Sequence, residues 1–213
     1  MVRTRTQDDG CGIAHASDLL GHRWALVVVR ELLLGPKRFS DLRTGIPGIS
    51  PNVLAQRLRE LEEAGILRRR KLAPPAAVQV YEVTEWGKEL EPAVLALGRW
   101  ASRSPGFPLG APMGPDSLVL ALKTTFQPQK AEALDATYEL WLGEIPYEIK
   151  VTAGRFEAER GEPAQPDATI RSDPNVMAAV VFGGRPLAGA VKEGAVELDG
   201  SRRAARALFR ALA

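Results

Sequence analysis

Residues 39–65 read FSDLRTGIPGISPNVLAQRLRELEEAG. A short helix, Phe39 to Arg43, leads through a turn carrying Gly45, Pro47 and Gly48 to Ser50. Ser50 is a favourable N-cap, Pro51 suits the first helical position because its missing N–H is needed by no partner there, and Gly65 stops the helix. Two short helices joined by a Gly-bearing turn form the helix-turn-helix pattern, whose second helix can enter a DNA major groove. In that helix Leu54, Leu58 and Leu61 fall on one face at i, i+4, i+7 and should pack inward. At about 100° per residue Asn52, Gln56, Arg59 and Glu63 lie opposite. Asn and Gln can pair with adenine and Arg with guanine, Ala55 is small enough to approach a thymine methyl, and Arg57 lies toward the flank within reach of a phosphate. Taken alone, the helix also reads as an amphipathic surface helix with a solvated polar face.

The next segment bears on that choice. Ile66–Leu72 and Val78–Thr84 read as two strands around a Pro-bearing tip, a β-hairpin wing. Arg68, Arg69, Arg70 and Lys71 are the densest basic run in the chain. A charge run is often only a solvated surface, but beside a helix-turn-helix it is better explained as phosphate contact, to which Arg38 before the first helix also contributes. Thr84 then caps a further helix whose Leu90, Val94, Leu97 and Trp100 make an apolar stripe, either a dimer seam or core against the downstream domain. The seam is favoured because such proteins commonly bind two half-sites with two-fold symmetry.

The runs Cys11, Leu19–Trp24, Arg30–Leu42, Ile49–Leu54, Gln56–Leu58, Leu61–Gly65 and Tyr81–Gly87 together resemble the HxlR-type winged helix-turn-helix regulators, over roughly residues 10–103. The resemblance implies a dimeric transcriptional regulator, related in fold to MarR-type proteins, with helices at both ends of this half at the dimer interface and the Ser50–Glu63 helix reading DNA.

Charge follows the same division. Residues 1–104 carry 16 Lys/Arg against 12 Asp/Glu, net +4, and residues 105–213 carry 12 against 14, net −2. The basic half is the one with the DNA motif. Hydrophobic content of 45% is ordinary for a globular protein. The start of the chain is polar, no apolar run approaches a membrane span, and a single cysteine forbids an internal disulfide, so a cytoplasmic protein is expected.

Residues 105–115 are rich in Pro and Gly and read as a linker between a domain at 1–104 and another at 116–213. The second begins with a helix over Ser117–Phe126. Strands follow at Ala136–Leu142, Tyr147–Thr152 and Arg155–Arg160, then at Ala168–Arg171 and Ala195–Leu198. Asp173 caps a helix to Phe182, a short helix follows at Pro186–Ala190, and Ser201 caps a last amphipathic helix. This is an α+β fold with an antiparallel or mixed sheet. The pattern through Tyr138, Asp167–Ile170, Asp173 and Gly194–Gly200 resembles the sterol-carrier-protein type lipid-binding domain. That resemblance implies a tunnel for a small apolar ligand, lined by Phe126, Tyr138, Trp141, Phe156, Val180 and Phe182. The same residues also read as ordinary core.

His15 and His22 lack a ligand cluster, so no metal is expected. The absence of a Ser/His/Asp array, a P-loop or a dinucleotide fingerprint leaves no sign of an enzyme and no cofactor. Cys11 sits just before a helix whose N-terminus can lower a thiol pKa, against the opposing charges of Asp8 and Asp9; it reads either as a redox or electrophile sensor or as a small residue packed at the dimer interface. The expectation is therefore a homodimeric repressor of operator DNA with an apolar effector. The alternatives are a thiol switch through Cys11, and a lipid carrier whose winged helix serves protein association.

Overall fold

The computed structural model describes residues 10–74, 76–108 and 110–212. The chain folds as two compact units that divide between Val94 and Leu95. In the first, α1 (Gly12–Leu20), α2 (Ala25–Leu32), α3 (Phe39–Gly45) and α4 (Pro51–Glu63) precede the hairpin β1 (Leu67–Lys71) and β2 (Gln79–Val83). Then come α5 (Glu85–Lys88) and the start of α6 (Glu91–Ala101). The core is built from Val28, Val29 and Leu32 of α2, Leu42 and Ile46 around α3, and Leu54, Leu58 and Leu61 of α4, with Ile66, Leu67 and Val83 beneath the hairpin. The leucines at i, i+4, i+7 therefore bury as the sequence pattern requires.

Two local features shape this unit. Thr84 caps α5, accepting from the Gly87 amide at 3.0 Å, while its own hydroxyl donates to the Gly65 carbonyl at 2.8 Å. The single helix expected from Thr84 onward is instead two. The chain turns at Glu89 and Leu90 and restarts at Glu91, because Pro92 has no N–H to donate and is tolerated only in the first turn of a helix.

The second unit contains α7 (Pro115–Thr125), a 3₁₀ turn at Pro128–Lys130, and the strands β3 (Asp135–Leu142), β4 (Ile145–Thr152), β5 (Arg155–Arg160) and β6 (Ala168–Ser172). After them come α8 (Pro174–Val181), α9 (Leu187–Lys192), β7 (Val196–Gly200) and α10 (Arg202–Leu212). Strand order is β5-β4-β3-β6-β7, with β3 and β6 parallel and the other pairs antiparallel. The sheet is thus mixed. Ala136, Tyr138, Leu140 and Leu142 of β3 alternate buried with half-buried neighbours. Tyr147, Ile149 and Val151 do the same on β4. Tyr138 donates its hydroxyl to the Ala204 carbonyl at 3.0 Å, and Tyr147 donates to Asp116 at 2.6 Å, so α10 and α7 cover the same face. Asp116, itself buried, also receives Arg160 Nε at 2.9 Å. The opposite face carries Glu139, Glu148, Lys150, Glu157, Glu159, Thr169 and Arg171 and meets water, as one-sided sheets commonly do. Among the described residues no helix is long and apolar enough to cross a membrane.

Candidate nucleic-acid interface

The helix-turn-helix is held from below. Glu31, buried at the end of α2, pairs with Arg30 at 2.7 Å and Lys37 at 2.5 Å. A Cβ on Gly45 would come within 2.4 Å of that carboxylate, so any larger residue there requires Glu31 to shift within its ion pairs. The Gly48 backbone is left-handed, and a Cβ there would lie 3.9 Å from the Trp24 indole. Trp24 itself has a left-handed backbone before α2, with Arg23 stacked on its ring at 4.8 Å. Lys37 and Tyr81 exchange backbone hydrogen bonds at 3.0 and 2.8 Å, tying the segment before α3 to the wing.

On α4, Ser50 accepts from the Val53 amide at 3.3 Å, an N-cap that contributes about 1 kcal/mol. Asn52 and Arg59 are exposed, and among the described residues neither makes a hydrogen bond or ion pair with another side chain. Ala55 and Gln56 are half-buried. Gln56 donates through Nε2 to Glu60 Oε1 at 3.0 Å. Arg57 departs from expectation. It is buried, with Nη2 donating to Glu60 Oε1 at 3.0 Å and Nη1 lying 2.6 Å from Oε2 at an angle outside hydrogen-bond geometry, while Nε is buried without a partner. It is therefore not a phosphate arm. Its position beside the leucine face places it under the helix, where a guanidinium is retained only with a counter-charge.

The wing arginines are exposed but already engaged. Arg68 and Arg70 both donate to Glu82, at 2.7 and 2.9 Å, because β1 and β2 place Arg68 directly opposite it. Arg70, then Arg68, holds the Glu82 carboxyl below the usual carboxylate range. Arg69 pairs with Glu62 at 2.9 Å, and that hydrogen bond raises its own pKa. Arg38 pairs with Asp41 at 2.9 Å. Lys71 is exposed at the end of β1. A cation paired to a surface carboxylate can exchange it for phosphate, since such pairs contribute little in water. Glu60, Glu62 and Glu82, which hold these groups, were absent from the sequence-based site. The 56/57/60 spacing was a legible signal for Glu60; Glu82 needed the hairpin register.

Residues 19–105 match the HxlR-like helix-turn-helix family. YvaP of Bacillus subtilis, an uncharacterised HTH-type transcriptional regulator, is 38% identical over 88 residues, 41% of this chain and 81% of its own length. The chain belongs to the HxlR-like helix-turn-helix family of transcriptional regulators. YodB of Bacillus subtilis, another HTH-type transcriptional regulator in this group, is 38% identical over 88 residues, covering 41% of the chain and 79% of its own length. The oxidised form of the redox regulator HypR aligns with 44% of the chain and 97% of itself, at 32% identity and a TM-score of 0.41. The family match lies in the half of the chain that carries the helix-turn-helix geometry.

Cys11 is the exposed N-cap residue of α1. The Ile13 amide, and then that of Ala14, lowers its thiol pKa. Asp8 and Asp9 lie outside the described residues. No group of three or more His, Cys, Asp and Glu among the described residues is placed to hold a metal.

The expected apolar site divides. Phe126 and Phe156 are buried with ring centroids 5.2 Å apart, and Tyr138 is buried, its pKa pushed up to about 12 by burial and by Asp167. Val180 is half-buried on α8, whereas Phe182 at the end of that helix is 41% exposed. Trp141 does not join them. Strand alternation puts it on the opposite sheet face from Tyr138, under Arg171 at 4.6 Å. A surface depression of about 150 Å³ lies on β4 and β5, lined by Glu148, Lys150, Glu157, Ala158 and Glu159. Four of its five lining residues are charged, and none of them is among the six.

Proposed function

We propose that this chain is a cytoplasmic repressor that binds operator DNA as a homodimer, with α4 in the major groove and the wing on flanking phosphates. One observation carries this reading: Asn52 and Arg59 stand exposed on a helix whose opposite face is locked into the core by Leu54, Leu58 and Leu61. Rigid support beneath exposed base-reading groups is what sequence recognition requires. Arg38, Arg68, Arg69, Arg70 and Lys71 supply sequence-independent affinity. Repression follows from occupancy of a promoter alone.

The dimer reading rests on α6, which buries none of its residues and exposes Leu97 by 47% and Trp100 by 68%. A Trp100→Glu variant should sediment as a monomer and lose operator affinity. A dimer of unchanged stability in that variant contradicts the seam.

The domains of this reading are the winged helix at 1–104, the linker at 105–115 and a sterol-carrier-like effector unit at 116–213. Helices laid on the sheet face that carries Tyr138, with Phe126 packed on Phe156 and Val180 half-buried on α8, favour a small apolar effector there. A fluorescent fatty acid should bind this unit saturably and release the protein from its operator; no saturable binding refutes the effector.

A second reading is favoured by the exposed Cys11 thiol with its lowered pKa: oxidants or electrophiles modify Cys11 and release DNA. Diamide should release the wild type from DNA and leave Cys11→Ser bound. Equal responses refute the thiol switch.

A further inference from the structure

The buried Arg57 is the start of a chain of polar groups that ends on the DNA-facing side of α4. Arg57 Nη2 donates to Glu60 Oε1 at 3.0 Å, and Nη1 lies 2.6 Å from Oε2 as an ion-pair contact. Glu60 Oε1 in turn accepts from Gln56 Nε2 at 3.0 Å. Paired with a guanidinium, Glu60 is a carboxylate, and a carboxylate only accepts hydrogen bonds. The end of Gln56 that faces Glu60 must then be its NH₂, and its carbonyl oxygen lies on the other side. An isolated glutamine side chain has no such preference, because its two ends are nearly the same shape.

We propose that Glu60, anchored by Arg57, is a positioning residue that fixes the Gln56 amide one way up, so that Gln56 selects adenine and rejects guanine at its operator base. The inference rests on the operator-binding reading above. In the major groove adenine offers the N6 amino group as donor and N7 as acceptor, whereas guanine offers two acceptors, O6 and N7. With its carbonyl oxygen fixed, Gln56 accepts from adenine N6, and the amide hydrogen not given to Glu60 remains for N7. Against guanine the same carbonyl oxygen meets O6, acceptor against acceptor. A freely turning amide lacks this bias, since the other orientation sets its NH₂ against O6. Arg57 contributes without touching DNA: its burial under the helix keeps the carboxylate in place.

The test begins with selection of binding sites from random duplexes by the wild-type protein, followed by competition between duplexes that differ at one base pair. The position read by Gln56 is the one whose preference disappears in Gln56→Ala. There the wild type should favour adenine over guanine about tenfold, the scale of one good base contact. In Glu60→Ala, which leaves Gln56 no acceptor on that side, that ratio should fall below about threefold, with preferences elsewhere and the salt slope unchanged. Retention of the full adenine preference in Glu60→Ala overturns the inference. So does a guanine preference at the Gln56 position in the wild type, a result that needs no folded Glu60 variant. Failure of the wild type to select any site is a different outcome, in which the operator reading itself falls and takes this one with it.

Discussion

Gly87 gives the sharpest test of how the first unit is assembled. It lies in the single turn of α5, where glycine costs up to about 1 kcal/mol relative to alanine. A Cβ at this position would lie 2.2 Å from the Ile66 carbonyl oxygen and 3.2 Å from its carbon. Both are backbone atoms of a buried residue, and that oxygen also accepts from the Thr84 amide at 3.0 Å. Gly87→Ala therefore adds about 1 kcal/mol of helix propensity. It sets against this an overpacking cost of about 1–3 kcal/mol and the weakening of a hydrogen bond that contributes about 1 kcal/mol. The net expectation is a loss of about 1–3 kcal/mol, or roughly 4 °C or more in Tm for a unit of this size. Gly189 in α9 is the control: its Cβ would meet only the Glu193 carboxylate, at 3.9 Å, so Gly189→Ala should stabilise by up to about 1 kcal/mol. Guanidinium unfolding followed by far-UV circular dichroism and tryptophan fluorescence reads both. A Gly87→Ala protein as stable as the wild type would refute the claim that α5 sits against the start of β1 by virtue of the missing side chain.

Other variants probe the interface. Gly45→Ala should destabilise by about 1–3 kcal/mol by driving a Cβ into Glu31. Because both changes act on one site, a double-mutant cycle with Glu31→Ala should show clear non-additivity, and strict additivity in denaturation would count against it. Glu82→Gln should release Arg68 and Arg70 for phosphate; affinity for a scrambled duplex should rise, and the slope of log K against log salt should steepen by about 0.9 for each additional phosphate neutralised. The pH dependence of the wing has a definite sign. Since the folded Glu82 carboxyl titrates below its unfolded value, its stabilisation is full above about pH 4.3 and is lost as pH falls through the folded value. The stability advantage of wild type over Glu82→Gln, under about 1 kcal/mol for so exposed a set of pairs, should therefore be present at pH 7 and vanish in acid.

Much of the DNA-binding half was legible because its signals are local. Ser50, Pro51 and Gly65 bracket α4 by capping chemistry, and the Leu54/Leu58/Leu61 spacing fixes its buried face without reference to other elements. Arg57 was misplaced because helical geometry puts it on a flank, and whether a flank is wet depends on what packs beside it. The pairing of Arg68 and Arg70 with Glu82 depends on hairpin register, which the alternation of Val78–Thr84 does not determine. Pro92 did carry a signal against one continuous helix, outweighed in the sequence by the apolar stripe on either side. In the second unit the alternation along β3 correctly buries Tyr138 and Leu140. By the same period of two it sends Trp141 to the other face, so its assignment to a shared apolar site conflicted with the pattern that identified the strand. The parallel pairing of β3 with β6 joins residues about thirty apart in sequence and has no local signature.

In the proposed operator complex α4 reads base sequence while the wing supplies charge. The most direct measurement is fluorescence anisotropy of the wild type and Arg59→Ala on a selected duplex and a scrambled one, across a salt series. The wild type should prefer the selected duplex by about a thousandfold or more and weaken steeply with salt. Arg59→Ala should lose about tenfold or more of that preference while keeping its affinity for the scrambled duplex. Equal preference in the two proteins, or a wild type that does not distinguish the duplexes, would contradict the account.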